Sequence, residues 1–201
     1  MRTSLLPGLL KTIRENRSHA LPLRIFETSD VVFKDVARER QARNVRHAAA
    51  VWCNKTAGFE IVHGLLDRAM AMLEVPHIPG GGSQAAATTR GYYLKERNGA
   101  SVSRLMTKSH LLIMLLFVIG VFWGAKNADP TFFPGRAATI YYRAWPTDAS
   151  KDEKDVEIGK LGILHPSVLE KFEIGYPCSA LEFSVEPFKA KMPAMWTNDD
   201  I

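Results

Sequence analysis

Leu21-Pro22-Leu23-Arg24-Ile25-Phe26-Glu27 alternates in character from Leu23 onward, the period of a strand whose two faces meet different surroundings. Leu23 and Ile25 fall on one face, Arg24 and Phe26 on the other. Thr28-Ser29-Asp30 reads as a break, because short polar residues favour turns. Val31-Val32-Phe33 then reads as the return of a hairpin or as a continuation of the strand. Toward the N-terminus, Leu6, Leu9, Leu10 and Ile13 recur at helical spacing. Thr3 or Ser4 is placed to cap that helix, and Pro7 is tolerated in its first turn. Lys11, Arg14 and Arg17 lie toward its C-terminal end, where cations oppose the helix dipole favourably.

Toward the C-terminus, residues 34–44 form a charged, Arg-rich stretch expected to be a solvated loop. Val45 to Trp52 returns to strand composition. Phe59 to Leu73 is the strongest helical pattern: Phe59, Val62, Leu65, Leu66, Ala69, Met70 and Leu73 make one apolar stripe opposite Glu60, Asp67 and Arg68. Met70 and Met72 are read as core and rim. Pro79-Gly80-Gly81-Gly82-Ser83-Gln84 is a linker. It lacks the Gly-Lys-Ser/Thr ending and the preceding strand of a phosphate loop. Phe132-Phe133-Pro134-Gly135-Arg136 reads as a turn, Ala137–Arg143 as a strand, Pro146–Glu157 as a hairpin loop and Ile158–Leu164 as the returning strand. His165-Pro166-Ser167 opens a short helix through Phe172. Leu181, Phe183 and Val185 alternate with Glu182, Ser184 and Glu186, the pattern of a half-buried strand with its carboxylates toward solvent. Interspersed helices and strands with short connections predict an α+β fold around a mostly antiparallel sheet.

The chain has 201 residues, of which 46% are hydrophobic and 23% charged, and a net charge of +5. A fold of this size removes roughly 70% of the unfolded chain's surface from water. The mild basicity is compatible with work near nucleic acid without requiring it. Two cysteines, Cys53 and Cys178, are too few for a disulfide framework and favour a reducing compartment such as the cytoplasm. Pro7 and Gly8 interrupt the apolar start, which argues against a secretory signal. Residues 111–125 are continuously apolar but shorter than the about 20 residues that a membrane span needs. A buried or aggregation-prone segment is preferred there over a span.

Four segments carry a resemblance to a known family. They are Arg2-Thr3-Ser4-Leu5-Leu6-Pro7-Gly8-Leu9-Leu10, Leu21 through Val31, Gly58-Phe59-Glu60-Ile61-Val62-His63-Gly64-Leu65-Leu66-Asp67-Arg68, and the pair Phe132–Arg136 and Gly159–Pro166. In that order they resemble the core domain of the β subunit of cytosolic phenylalanyl-tRNA synthetases. The resemblance covers residues 2–96 and 129–188. It implies a class II aminoacyl-tRNA synthetase-like fold, an antiparallel sheet with flanking helices, that is catalytically degenerate. Class II chemistry needs an arginine on a strand-loop-strand motif to hold the α-phosphate and the amino-acid carboxylate. Ile25-Phe26-Glu27 stands where a Phe-Arg-x-Glu pattern would be expected. Cys178 through Glu186 carries neither arginine nor glycine. No catalytic, cofactor-binding or metal residue is therefore expected in this chain.

The resemblance further implies a structural part of phenylalanine--tRNA ligase, in an (αβ)2 assembly with tRNA as substrate. ATP and Mg2+ would be held on the α subunit, and the 34–44 loop could face tRNA. The expected organisation is a core of 1–96 and 129–190, an apolar insert at 97–128 read as translated intron or a misjoined exon, and a tail at 191–201. The family's longer β subunit makes Met1 the expected start of a fragment. Two rivals stand beside this reading: a truncated binding module for the α subunit or RNA, and a membrane-associated protein anchored by residues 111–125.

Individual side chains are read conservatively. His47, Cys53, His63 and His77 match no zinc spacing. Cys53 lacks the context of a nucleophile. His165 is expected to fix the helix entry, and Arg136 to orient its hairpin or meet the α partner.

Overall fold

The computed structural model describes residues 2–79, 90–96, 130–144 and 155–191. The apolar run at 111–125, the 97–128 insert, the glycine run from Gly80 and the tail beyond residue 191 lie outside them.

Six strands form one sheet in the order β1-β2-β6-β5-β4-β3, and every neighbouring pair is antiparallel. In chain order the elements are α1 (Leu6–Glu15), β1 (Leu23–Lys34), β2 (Ala42–Cys53), α2 (Phe59–Met72), β3 (Gly91–Glu96) and β4 (Phe132–Arg143). They continue with β5 (Val156–Leu164), α3 (Pro166–Lys171), β6 (Cys178–Ser184) and a 3-10 turn at Glu186–Lys191. The connection through α2 carries the chain from β2 to the far edge at β3. Strands β4, β5 and β6 then step back, and β6 closes the sheet against β2.

Strand β1 runs without interruption from Leu23 to Lys34, paired to β2 from Leu23↔Cys53 through Lys34↔Ala42. The expected break at Thr28-Ser29-Asp30 is therefore a continuation. Ladder pairing with Ala48, His47 and Arg46 overrides the weak strand preference of those residues, and Arg46 adds an ion pair to Asp30 at 2.5 Å. The Arg-rich stretch narrows to a turn. Asp35 N–H donates to Gln41 O at 3.0 Å, and Gln41 takes a positive φ of 51°.

The period of two divides the core between the two faces. On one face α1 buries Leu6, Leu9, Leu10 and Ile13 against Val31, Val45, Ala49, Val51 and Ala180. On the other, α2 buries Val62, Leu66 and Met70 against Ile140, Leu161, Leu181 and Phe183. Burying these side chains removes apolar surface worth roughly 1.5–3 kcal/mol each. The α2 stripe is narrower than its sequence pattern: Leu65 is 45% exposed and Ile61 50% exposed, while Leu66 is fully buried. A single sheet contacts only one flank of the helix.

Bulges adjust the register of β4 and β5. Between Phe132↔Leu164 and Ala137↔Gly162, five steps on β4 oppose two on β5. The expected turn at Phe132–Arg136 is thus a wide bulge inside one strand. Pro134 cannot donate to a ladder, and Gly135 adopts φ +70°, a region where a side chain would be strained. A second irregularity leaves Ile158 unpaired between Ile140↔Gly159 and Tyr141↔Glu157. The extra residue resets the alternation, so Ile158 and Leu161 enter the same core.

Candidate functional site

The sheet face beneath the N-terminus of α1 opens into a groove of about 920 Å³ lined by Ser4, Phe33, Arg43, His47, Lys160 and Glu182 among others. Its floor follows from the register. His47 on β2 pairs with Ser184, and Ala49 with Glu182, so His47 and Glu182 share one face. β6 is a central strand between β2 and β5, and the segment that opens α1 lies over its Glu182 side. The expectation that Glu182 faces solvent is therefore overturned: its side chain is only 11% exposed.

Glu182 is held by three donors. Ser4 Oγ–H donates to Oε2 at 2.6 Å, the Leu5 amide donates to Oε1 at 3.0 Å, and His47 Nδ1 lies 3.0 Å from Oε1. Burial disfavours the charged carboxylate, but the bonds from His47, Ser4 and Leu5 outweigh it and lower its pKa below the ordinary glutamate value. Ser4 Oγ also accepts the Leu6 amide at 3.2 Å, which realises the expected serine cap one residue outside the N-cap Leu5. The carboxylate thus serves the exposed amides and the positive end of α1. A carboxylate so occupied has little capacity left as a general base.

Cationic groups at the groove rim are also engaged. Asp35 lies 4.0 Å from Arg38 and 3.9 Å from Arg43. On the opposite face of the sheet, Arg24 of β1 stacks over the Trp52 ring at 4.8 Å. A second buried polar group joins β3 to the start of β5. Arg143 grips Asp155 through Nε at 2.7 Å and Nη2 at 2.9 Å, and Tyr93 O–H donates to the same carboxylate at 2.7 Å. The Arg143 bond chiefly lowers the Asp155 pKa, whereas burial and the bond to Asp155 push Tyr93 up to about 12.

The four candidate metal ligands are not brought together. His47 meets Glu182, Cys53 pairs with Cys178, His63 lies 3.7 Å from Asp67, and His77 packs edge-on to Tyr92. Among the described residues no group of three or more His, Cys, Asp or Glu could hold a metal ion. No helix among them is long and apolar enough to cross a membrane. His165 performs the expected helix entry: its Nδ1 accepts the Ser167 amide at 3.2 Å as the N-cap of α3. Arg136 lines a second groove of about 860 Å³ with Phe133, Leu169 and Tyr176. Sequence reasoning passed over Ser179, which is fully buried and accepts the Gly58 amide at 3.0 Å at the start of α2. Its sequence signal is a serine on the same side of the alternation as Leu181 and Phe183.

Six antiparallel strands thus carry a helix on each face and a groove over β2 and β6. Residues 1–185 match the family model described as "Phenylalanyl tRNA synthetase beta chain CLM domain", and the chain belongs to that family. The Phenylalanine--tRNA ligase beta subunit of Drosophila melanogaster is 44% identical over 188 residues, covering 94% of this chain and 24% of that protein. The Mus musculus beta subunit is 43% identical over 187 residues, covering 93% and 23%. The chain therefore spans about a quarter of the length of these relatives. A pyrrolysyl-tRNA synthetase from Desulfitobacterium hafniense superposes with a TM-score of 0.48 at 19% identity, covering 94% of this chain and 48% of its own.

Proposed function

We propose that the chain is a structural, non-catalytic part of the β subunit of phenylalanine--tRNA ligase, supporting the ATP-dependent attachment of phenylalanine to its tRNA in the cytoplasm. The observation that carries the non-catalytic reading is the saturation of Glu182. The carboxylate at the floor of the sheet-face groove is committed to Ser4, Leu5 and His47, and so secures α1. The class II-like sheet is read as catalytically degenerate. Its β1 carries Ile25-Phe26-Glu27, and its β6 has no arginine to grip a nucleotide. ATP and Mg2+ accordingly belong to the α subunit of an (αβ)2 assembly. The apolar outer flank of α2, with Ile61 and Leu65, supplies surface for that partner.

The organisation into a core of 1–96 and 129–190 with an insert at 97–128 belongs to the same reading. Direct pairing of β3 with β4, from Gly91↔Arg143 to Glu96↔Ala138, supports it. Peptides from the native protein joining residue 95 directly to the 129 region support the reading of the insert as intron or a misjoined exon; abundant peptides from inside it refute that assignment.

The functional test is co-expression with the α subunit of the same organism, followed by affinity purification and size-exclusion chromatography. Stoichiometric co-elution and restored phenylalanylation of tRNA support the proposal. A folded chain that elutes alone overturns it.

A further inference from the structure

Cys53 and Cys178 end and begin their strands directly opposite one another, on the register Cys53↔Cys178 between β2 and β6. The ladder bonds define the kind of pair. Asn54 N–H donates to Pro177 O at 3.3 Å, and at the other end of the ladder Val185 N–H donates to Arg46 O at 2.9 Å. Both bonds bracket their cross-strand pairs from outside, so Cys53 and Cys178 occupy a non-hydrogen-bonded position, where opposed side chains approach most closely. Cα atoms at such a position are about 4.5 Å apart, within the roughly 4.4–6.8 Å that a disulfide spans. Both side chains belong to the α1-side core, at 1% and 0% exposure, and both thiols are free.

We propose that Cys53 and Cys178 form a built dithiol site that a small peroxide closes reversibly into a cross-strand disulfide. Burial selects the oxidant by size, since hydrogen peroxide is little larger than water. The thiols also differ. Cys178 Sγ–H donates to Tyr176 O at 3.6 Å. The neighbouring Cys178 lowers the Cys53 pKa, while the contact with Cys53 and burial raise Cys178. Cys53 is thus the thiol that ionises and attacks. Its thiolate takes one oxygen of the peroxide, breaking the O–O bond, and hydroxide leaves with the electron pair. The resulting sulfenic acid condenses with Cys178: the S–S bond forms, the S–O bond breaks, and the Cys178 proton and the departing hydroxyl leave as water. In sum, two thiols lose two electrons and two protons, and one peroxide becomes two waters. A thiol reductant reverses the change. Closure encloses α2, β3, β4, β5 and α3 in one covalent loop, which constrains the unfolded chain.

The 201 residues hold two cysteines, so peptide mapping assigns each thiol within them. The native protein is exposed to hydrogen peroxide, quenched, unfolded and titrated for thiols, with peptide mapping by mass spectrometry. The expected result is loss of both thiols, a monomer lighter by two hydrogens, a linked Cys53–Cys178 peptide and an upward shift in thermal midpoint that dithiothreitol removes. In the Cys178→Ala variant the expected product is a Cys53 sulfenic acid trapped by dimedone. Two intact thiols in the treated wild-type protein, over-oxidised cysteines without a linked peptide, or disulfides only between chains each overturn the proposal.

Discussion

The Glu182 carboxylate accepts the backbone amide of Leu5 at 3.0 Å across a sequence separation of 177 residues. This bond ties the start of the first helix to the last strand of the sheet, and the Ser4 hydroxyl doubles it at 2.6 Å. Replacing Glu182 with alanine leaves the amide and hydroxyl in a part-buried site without their acceptor. The expected loss of stability is about 3 kcal/mol, read as a lower urea midpoint with an unchanged slope. Ser4→Ala removes one neutral donor and is expected to cost about 1 kcal/mol. Equal effects of the two variants would contradict the anchoring role.

Acid is expected to release the same contact. The Glu182 and Asp155 carboxyls titrate below their ordinary values of 4.5 and 3.8. A carboxyl with a depressed folded pKa binds its proton more readily in the unfolded chain. Its contribution is therefore present above the ordinary value and is lost as pH falls through the folded one. Urea unfolding at a series of pH values should show stability declining below about pH 4.5. The Glu182→Gln variant should show a shallower decline, and a parallel one would exclude Glu182 as a contributor.

Two glycines give opposite expectations. A Cβ at Gly159 would lie 2.3 Å from the Glu182 carbonyl oxygen and 2.5 Å from the Phe183 Cα, both backbone atoms that cannot swing away. Gly159→Ala is expected to destabilise by about 2 kcal/mol or more, through separation of β5 from β6. Gly64 sits within α2 with nothing within 4 Å of the built Cβ. Gly64→Ala is expected to stabilise by roughly 0.5–1 kcal/mol. Thermal unfolding of both variants decides the matter, and a shift in the same direction would refute the packing argument.

Adjacent leucines on α2 separate folding from assembly. Leu66→Ala empties a fully buried position and should cost about 2–5 kcal/mol. Leu65→Ala, at a half-exposed position, should change stability by less than about 1 kcal/mol. If the α subunit docks on this flank, Leu65→Asp weakens co-elution with α while leaving the melting temperature nearly unchanged. Unchanged co-elution would remove α2 from the interface.

Much of the fold was legible because the periodicities were clean. The four apolar positions of α1 are all buried, and His165 enters α3 as its sequence context suggests. Other features were illegible for particular reasons. Thr28-Ser29-Asp30 looked like a break because local preference cannot register the full-length partner that β2 supplies. Leu65 belonged to a plausible stripe, but only packing shows how wide a strip of helix the sheet covers. Glu182 alternated with apolar neighbours, and alternation cannot reveal that the start of α1 lies over the polar side. The groove was equally hidden, since Ser4, His47 and Glu182 come together only when the first segment folds over the last strand.

The placement of β6 between β2 and β5 governs the order in which the molecule can be assembled. The hairpin β1–β2 is synthesised before the rest of the sheet, yet its inner edge must wait for a strand that arrives more than a hundred residues later. During that interval β2 presents unsatisfied backbone groups and one face of Val, Ala and Cys side chains, the combination that invites pairing with foreign strands. A nascent chain of this topology is a natural client for chaperones that bind exposed strand edges. Its vulnerability to misassembly ends only when the central seam is closed.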